Sequence, residues 1–170
     1  MIFATRLITS VLAIFCLVQA ASAEAGQEDR TQEPADEPPI GYGPPISLEE
    51  AMKLVDRGIA LAGERDLTMA IAIVEPSGEL VVFAKMDDVV YASAEVAKQK
   101  ARSAARFRMS THEFEARVTG GRMVLLSSDE VMPIGGGLPS VVDRRVIGAV
   151  GVSGGAAADD AMIAAAMLER

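Results

Sequence analysis

From Ser47 onward the chain alternates between helical and strand-like patterns of apolar residues. Leu48, Ala51, Met52, Val55, Ile59 and Ala62 recur at three- and four-residue spacing, which predicts an amphipathic helix over residues 47–65. Ser47 and Glu50 stand as a capping box at its start. The continuous apolar run "MAIAIVE" then reads as a buried strand, "PSGE" as a turn with Gly78 at positive φ, and "LVVFAKM" as the returning strand of a hairpin. Residues 91–108 are alanine-rich and helical. Ala94, Ala97, Ala101, Ala104 and Ala105 form a small-residue stripe there, and Lys98, Arg102 and Arg106 a basic one. Ser110 or Thr111 caps a shorter helix running to residue 117. "MVLLSS" (123–128) is a loop or a short apolar segment, and "GGGLPS" (135–140) interrupts regular structure. Residues 140–143 and 145–154 make a second hairpin around Asp143-Arg144, and residues 156–168 close the chain as a helix.

The predicted order is α-ββ-α-α-ββ-α. Adjacent hairpins favour an antiparallel sheet, and flanking helices predict a two-layer α+β domain. A doubly wound parallel fold would need strands and helices to alternate singly, and they do not.

Before residue 46 the pattern changes twice. Arg6, the apolar residues 7–18 and the small residues Ala21-Ser22-Ala23 have the form of a secretory signal cleaved after Ala23. Residues 24–45 hold six acids, one arginine and five prolines, the composition of a disordered or extended linker. The 125 residues from Ile46 suffice for one domain. They carry 14 basic and 18 acidic residues, a net charge of −4, which is no footprint for nucleic acid. The single cysteine, Cys16, lies inside the signal, so cleavage would remove disulfides and thiolate chemistry together.

Candidate chemistry centres on "VIGAVGVSGG". Gly151-Val152-Ser153-Gly154-Gly155 fits G-x-S-x-G, the turn of a serine nucleophile. Such a serine needs a histidine base, and no histidine follows it; the sole histidine, His112, lies 41 residues upstream. The glycines therefore serve either to present free amides to a carboxylate at a helix N-terminus or simply to turn a strand into a helix. "PIGGGLPS" lacks the lysine of a phosphate loop. One histidine cannot build a multi-histidine metal site, but haem iron accepts a single imidazole.

These stretches carry a resemblance. "ISLEEAMKLVDRGIALA", "MAIAIVEPSGELVVFAKMD", "SAEVAKQKARSAARF", "GGGLPSVVDRRVIGAVGVSGG" and "DDAMIAAAML" together resemble the GlcG/HbpS-like haem-binding family, also found as the C-terminal domain of PduO-type proteins. The resemblance spans nearly all of residues 46–168. It implies a profilin- or PAS-like domain with an antiparallel sheet, homo-oligomers, haem binding in some members and haem degradation in a few. Where the family commonly has F-G-R-P-T, this chain has Phe107-Arg108-Met109-Ser110-Thr111, matching at the two ends only. By that resemblance Thr111 is a candidate near haem iron. His112 beside it is the better ligand chemically but not a family position. Lys100 matches a recurrent family lysine and, with Arg102 and Arg106, is a candidate partner for propionates. Gly135, Gly136, Gly137, Gly151, Ser153, Gly154 and Gly155 are candidates for a ligand rim. The expected protein is a secreted or periplasmic haem or tetrapyrrole binder acting in sequestration, sensing or degradation, with binding favoured over turnover. Alternatives are a small-carboxylate-binding accessory protein and an oligomeric structural module without ligand.

Overall fold

The structure is a computed structural model and describes residues 41–169. The expected signal (1–23) and residues 24–40 of the expected linker lie outside the described residues. The element order is β1 (Gly41–Tyr42), α1 (Leu48–Gly63), β2 (Ala70–Val74), β3 (Leu80–Lys85), α2 (Tyr91–Phe107), α3 (Thr111–Thr119), a 3-10 turn (Met123–Ser127), β4 (Gly137–Val142), β5 (Arg145–Ser153) and α4 (Ala157–Leu168). Ordered pairing thus begins before Ile46, inside the stretch read as linker. Gly41 and Tyr42 run parallel to Arg145 and Val146, and the Tyr42 hydroxyl donates to the Arg106 carbonyl at 2.6 Å.

β5 organises the sheet. It pairs antiparallel with β4 along one edge, and with β2 along the other through residues 149–153; β1 continues that second edge. β3 completes the sheet beyond β2. Asp143 and Arg144, at φ 48° and 60°, make the two-residue turn between β4 and β5. Two left-handed residues in that position match the twist of the strands they join. β4 begins at Gly137, earlier than expected, and carries Pro139 inside it. An edge strand tolerates that proline because the missing N–H need not serve a neighbour.

The α+β class and the antiparallel sheet flanked by helices are as the sequence predicts. The layering differs, because helices cover both faces and two layers become three. Ile71, Ile73, Val150 and Val152 point to one face, under α1 and α4. Ala70, Ala72, Val74 and Ala149 point to the other, under Ala97, Ala101, Ala104 and Ala105 of α2. Small residues on both sides let α2 approach closely. At Gly151 the approach is closest: a Cβ there would overlap the Ala97 carbonyl and the Ala101 amide.

Helix ends follow their caps. Ser47 accepts from the Glu50 amide and Ser110 from the Glu113 amide, each at 3.2 Å. Ser110, not Thr111, is therefore the N-cap of α3. Arg108 caps the C-terminus of α2 in a left-handed conformation (φ 54°). No helix among the described residues is long and apolar enough to cross a membrane.

Candidate functional site

Two arrangements emerge from the candidate residues. The first is buried. Lys100 lies on the inward face of α2 among Ala97, Ala101 and Ala104, with 1% of its side chain exposed. Its Nζ sits 2.6 Å from Asp160 Oδ2 and donates to the Val152 carbonyl at 3.0 Å. Asp160 is in the first turn of α4. Its Oδ1 accepts from the amides of Gly154 and Gly155 at 3.1 and 3.0 Å. The glycine turn does hold a carboxylate, and the carboxylate belongs to the chain itself. A buried ion pair is tolerable only when further hydrogen bonds satisfy both partners, and these do.

Gly135–Gly137 complete the enclosure. Gly136, at φ +118°, leaves no room for a Cβ, which would press on Asp160, the Val152 carbonyl and Lys100 Nζ. Its carbonyl accepts from Val152 N at 2.9 Å. Gly137 N donates to Thr111 Oγ1 at 2.8 Å, and Gly135 N to Glu115 Oε2 at 3.0 Å. Thr111 is fully buried and joins the start of α3 to β4. Ser153 is buried at the end of β5, opposite Ala70.

These positions correct several expectations. Lys100 cannot meet a propionate, because Asp160 already neutralises it in the interior. Thr111 cannot reach an iron from outside while its hydroxyl is held by Gly137. Gly136, Gly154 and Gly155 close around the ion pair, Gly151 lies against α2, and Ser153 is buried at the end of β5, so these residues do not line an open rim. The amides of Gly154 and Gly155 are occupied, which removes the anion site on which the small-carboxylate alternative rested. Sequence reasoning missed Asp160 as the centre of the motif, although an acid one turn beyond Gly-Gly was visible.

Arg102 and Arg106 point away from this cluster, toward the β2–β3 turn. Arg102 pairs with Glu79 at 3.1 Å. Arg106 pairs with Glu130 and donates to the Ser77 carbonyl at 2.7 Å. The hydrogen bond from Arg106 holds the Glu130 carboxyl below the usual carboxylate range. Both guanidinium groups thus have carboxylate partners, and neither stands near Lys100 or is brought to His112.

The second arrangement is exposed. His112, the second residue of α3, has 73% of its side chain exposed, and Nδ1 is 3.8 Å from Glu115 Oε2. Nε2 has no protein partner among the described residues. Apolar surface surrounds this end of the fold. Phe107 stacks edge-on against Phe114 (centroids 5.2 Å apart, planes at 82°) and is itself 42% exposed. Ile134 is exposed beside Gly135, the residue bonded to Glu115. Met123, Val124 and Leu126 of the 3-10 turn are exposed after α3.

A family model described as "Haem degrading protein HbpS-like" matches residues 46–169. GlcG of Escherichia coli (strain K12) is 35% identical over 108 residues, covering 64% of this chain and 81% of that protein. The crystal structure of Klebsiella pneumoniae protein ORFY superposes with a TM-score of 0.70 at 28% identity, covering 79% of this chain and 95% of the other. A structure of PduOC in complex with haem superposes with a TM-score of 0.67 at 28% identity, covering 73% and 93%.

Proposed function

The chain belongs to the HbpS-like family, and from that premise we propose that it binds haem or a related tetrapyrrole through His112. The observation that carries the reading is the geometry of that imidazole. It is exposed, Glu115 lies on its Nδ1 side, and Nε2 is without a protein partner. At 3.8 Å the carboxylate is not hydrogen-bonded to the ring, so the imidazole can turn Nε2 outward toward a metal. Haem, when bound, would supply an iron that one neutral imidazole, here that of His112, could hold. Ile134, beside the Gly135 whose amide Glu115 accepts, supplies exposed apolar surface of the kind a porphyrin covers. The related PduOC structure, which contains haem, supports the ligand class.

Sequestration or sensing fits this site better than turnover. The acid nearest His112 is Glu115, and its Oε2 already accepts the Gly135 amide. Export is part of the same proposal and rests on the signal-like residues 1–23; N-terminal sequencing of the cell-produced protein would start at Glu24, whereas a start at Met1 would remove it. A homo-oligomer is proposed as well, supported by the exposure of Val124 and Leu126, 69% and 52%. Analytical ultracentrifugation giving a monomer at all concentrations would end that part of the reading.

The deciding experiment is a haemin titration of the purified protein, followed by Soret absorbance, with His112→Ala and Thr111→Ala in parallel. The expected result is a saturable shift that His112→Ala loses and folded Thr111→Ala keeps. No saturable shift at micromolar protein would refute haem binding, and a shift unchanged by His112→Ala would refute the ligand.

A further inference from the structure

On the opposite face of the sheet lies a groove of about 460 Å³, outside the arrangements described above. One wall is α1, whose Glu50, Lys53, Leu54 and Arg57 fall at helical spacing along a single stripe. The floor is Leu138 and Ile147 of β4 and β5, and the far wall is the end of α4 at Met167 and Leu168. The size is that of a small-molecule site, and such sites pair an apolar lining with a few polar groups that fix orientation.

The polar groups here have a distinct arrangement. Arg57 donates to the backbone carbonyl of Glu169 and so is held in place by a neutral acceptor. Among the described residues, no carboxylate lies within ion-pair distance of it. Glu50 and Glu169 also line the groove, and neither pairs with Arg57. Lys53, one turn away, pairs with Glu49 in a contact that is 69% and 80% exposed. Exposed pairs of that kind exchange partners at little cost. The groove therefore offers an oriented guanidinium with no carboxylate among the described residues and a second, exposed cation, above an apolar floor. A guanidinium fork is matched by a carboxylate.

We propose that this groove binds a small monocarboxylic acid with an apolar tail, the carboxylate on Arg57 and Lys53 and the tail over Leu138 and Ile147. The proposal goes beyond haem binding and is independent of it, since His112 takes no part.

The test is calorimetric titration of the purified, haem-free protein with octanoate, against acetate and octan-1-ol. Octanoate is expected to bind saturably at one site per chain, at least about tenfold tighter than either control, because each control lacks one half of the match. Arg57→Gln is expected to weaken octanoate about tenfold and leave octan-1-ol unchanged. Val141→Trp, placed on a half-exposed strand residue that lines the groove, is expected to abolish binding without touching either cation. His112→Ala is expected to bind octanoate as the parent does, so loss of haem binding and loss of this site remain separate results. No saturable octanoate binding, or binding unchanged by both Arg57→Gln and Val141→Trp in folded protein, would overturn the proposal.

Discussion

Asp160 meets two glycine amides with one carboxylate oxygen and Lys100 with the other, in the interior. Breaking such a pair from one side leaves an uncompensated charge away from water. Asp160→Asn is therefore expected to cost about 3–5 kcal/mol of stability. Lys100→Met combined with Asp160→Asn should cost clearly less than the two single changes added together, with a coupling of about 1–3 kcal/mol. Urea denaturation of the four proteins at pH 7 measures both quantities. A loss under about 1 kcal/mol in Asp160→Asn would mean that water reaches Lys100. The family resemblance makes Lys100 a propionate partner, although its place three residues after Ala97 and four before Ala104 puts it on the packing face of the helix. Its true partner was not legible in the sequence, because Asp160 lies 60 positions away and only the folded sheet brings them together.

Among the elements, helices and hairpins were readable because their apolar periods are long and uninterrupted. β1 was not, because two residues carry no period. The start of β4 was hidden by glycines and a proline, which read as a break. The alanine stripe of α2 shows what a period alone omits: it identifies a packing face and leaves unstated how near the neighbour comes. Gly151→Ala drives a methyl group into the α2 backbone and is expected to destabilise by about 3 kcal/mol or more, read as a shift of the denaturation midpoint. Gly63, at the end of α1, has open space around its missing Cβ. Gly63→Ala is expected to be neutral or stabilising by up to about 1 kcal/mol in the same measurement.

The segment over residues 128–132 docks on α2 through Ser103 and Arg106. Ser103 Oγ donates to the Glu130 carbonyl at 2.6 Å and accepts from the Met132 amide at 2.9 Å. Arg106 keeps the Glu130 carboxyl below its ordinary range, so the ionic part of this contact is complete above that range and is lost as pH falls through the lowered value. The protection factor of the Met132 amide, exchange corrected for the intrinsic rate at each pH, should fall on acidification below the carboxylate range. In Glu130→Gln that fall should disappear. Equal acid sensitivity in both proteins would show that another group governs the segment.

For the whole molecule, the α+β class followed from the order of elements, and the three layers did not. Burial of both faces was written in the strands, since "AIAIV" has no polar residue to give to solvent. A run apolar on both faces needs cover on both. The candidate site was legible only in part. His112 was visible as a lone imidazole, whereas the sequence placed Lys100, Arg102 and Arg106 beside it and the fold turns them elsewhere.

The central position of β5 also sets an order in time. The strand that joins β1, β2 and β4 leaves the ribosome after all of them. Until residues 145–153 have emerged, β2 presents an unpaired edge and α2 lacks much of the sheet on which its alanine face rests. Open edges of that kind invite pairing with other chains. A nascent chain of this protein thus stays unfinished until β5 has emerged, and a product ending at Val142 is expected to lack cooperative unfolding by circular dichroism.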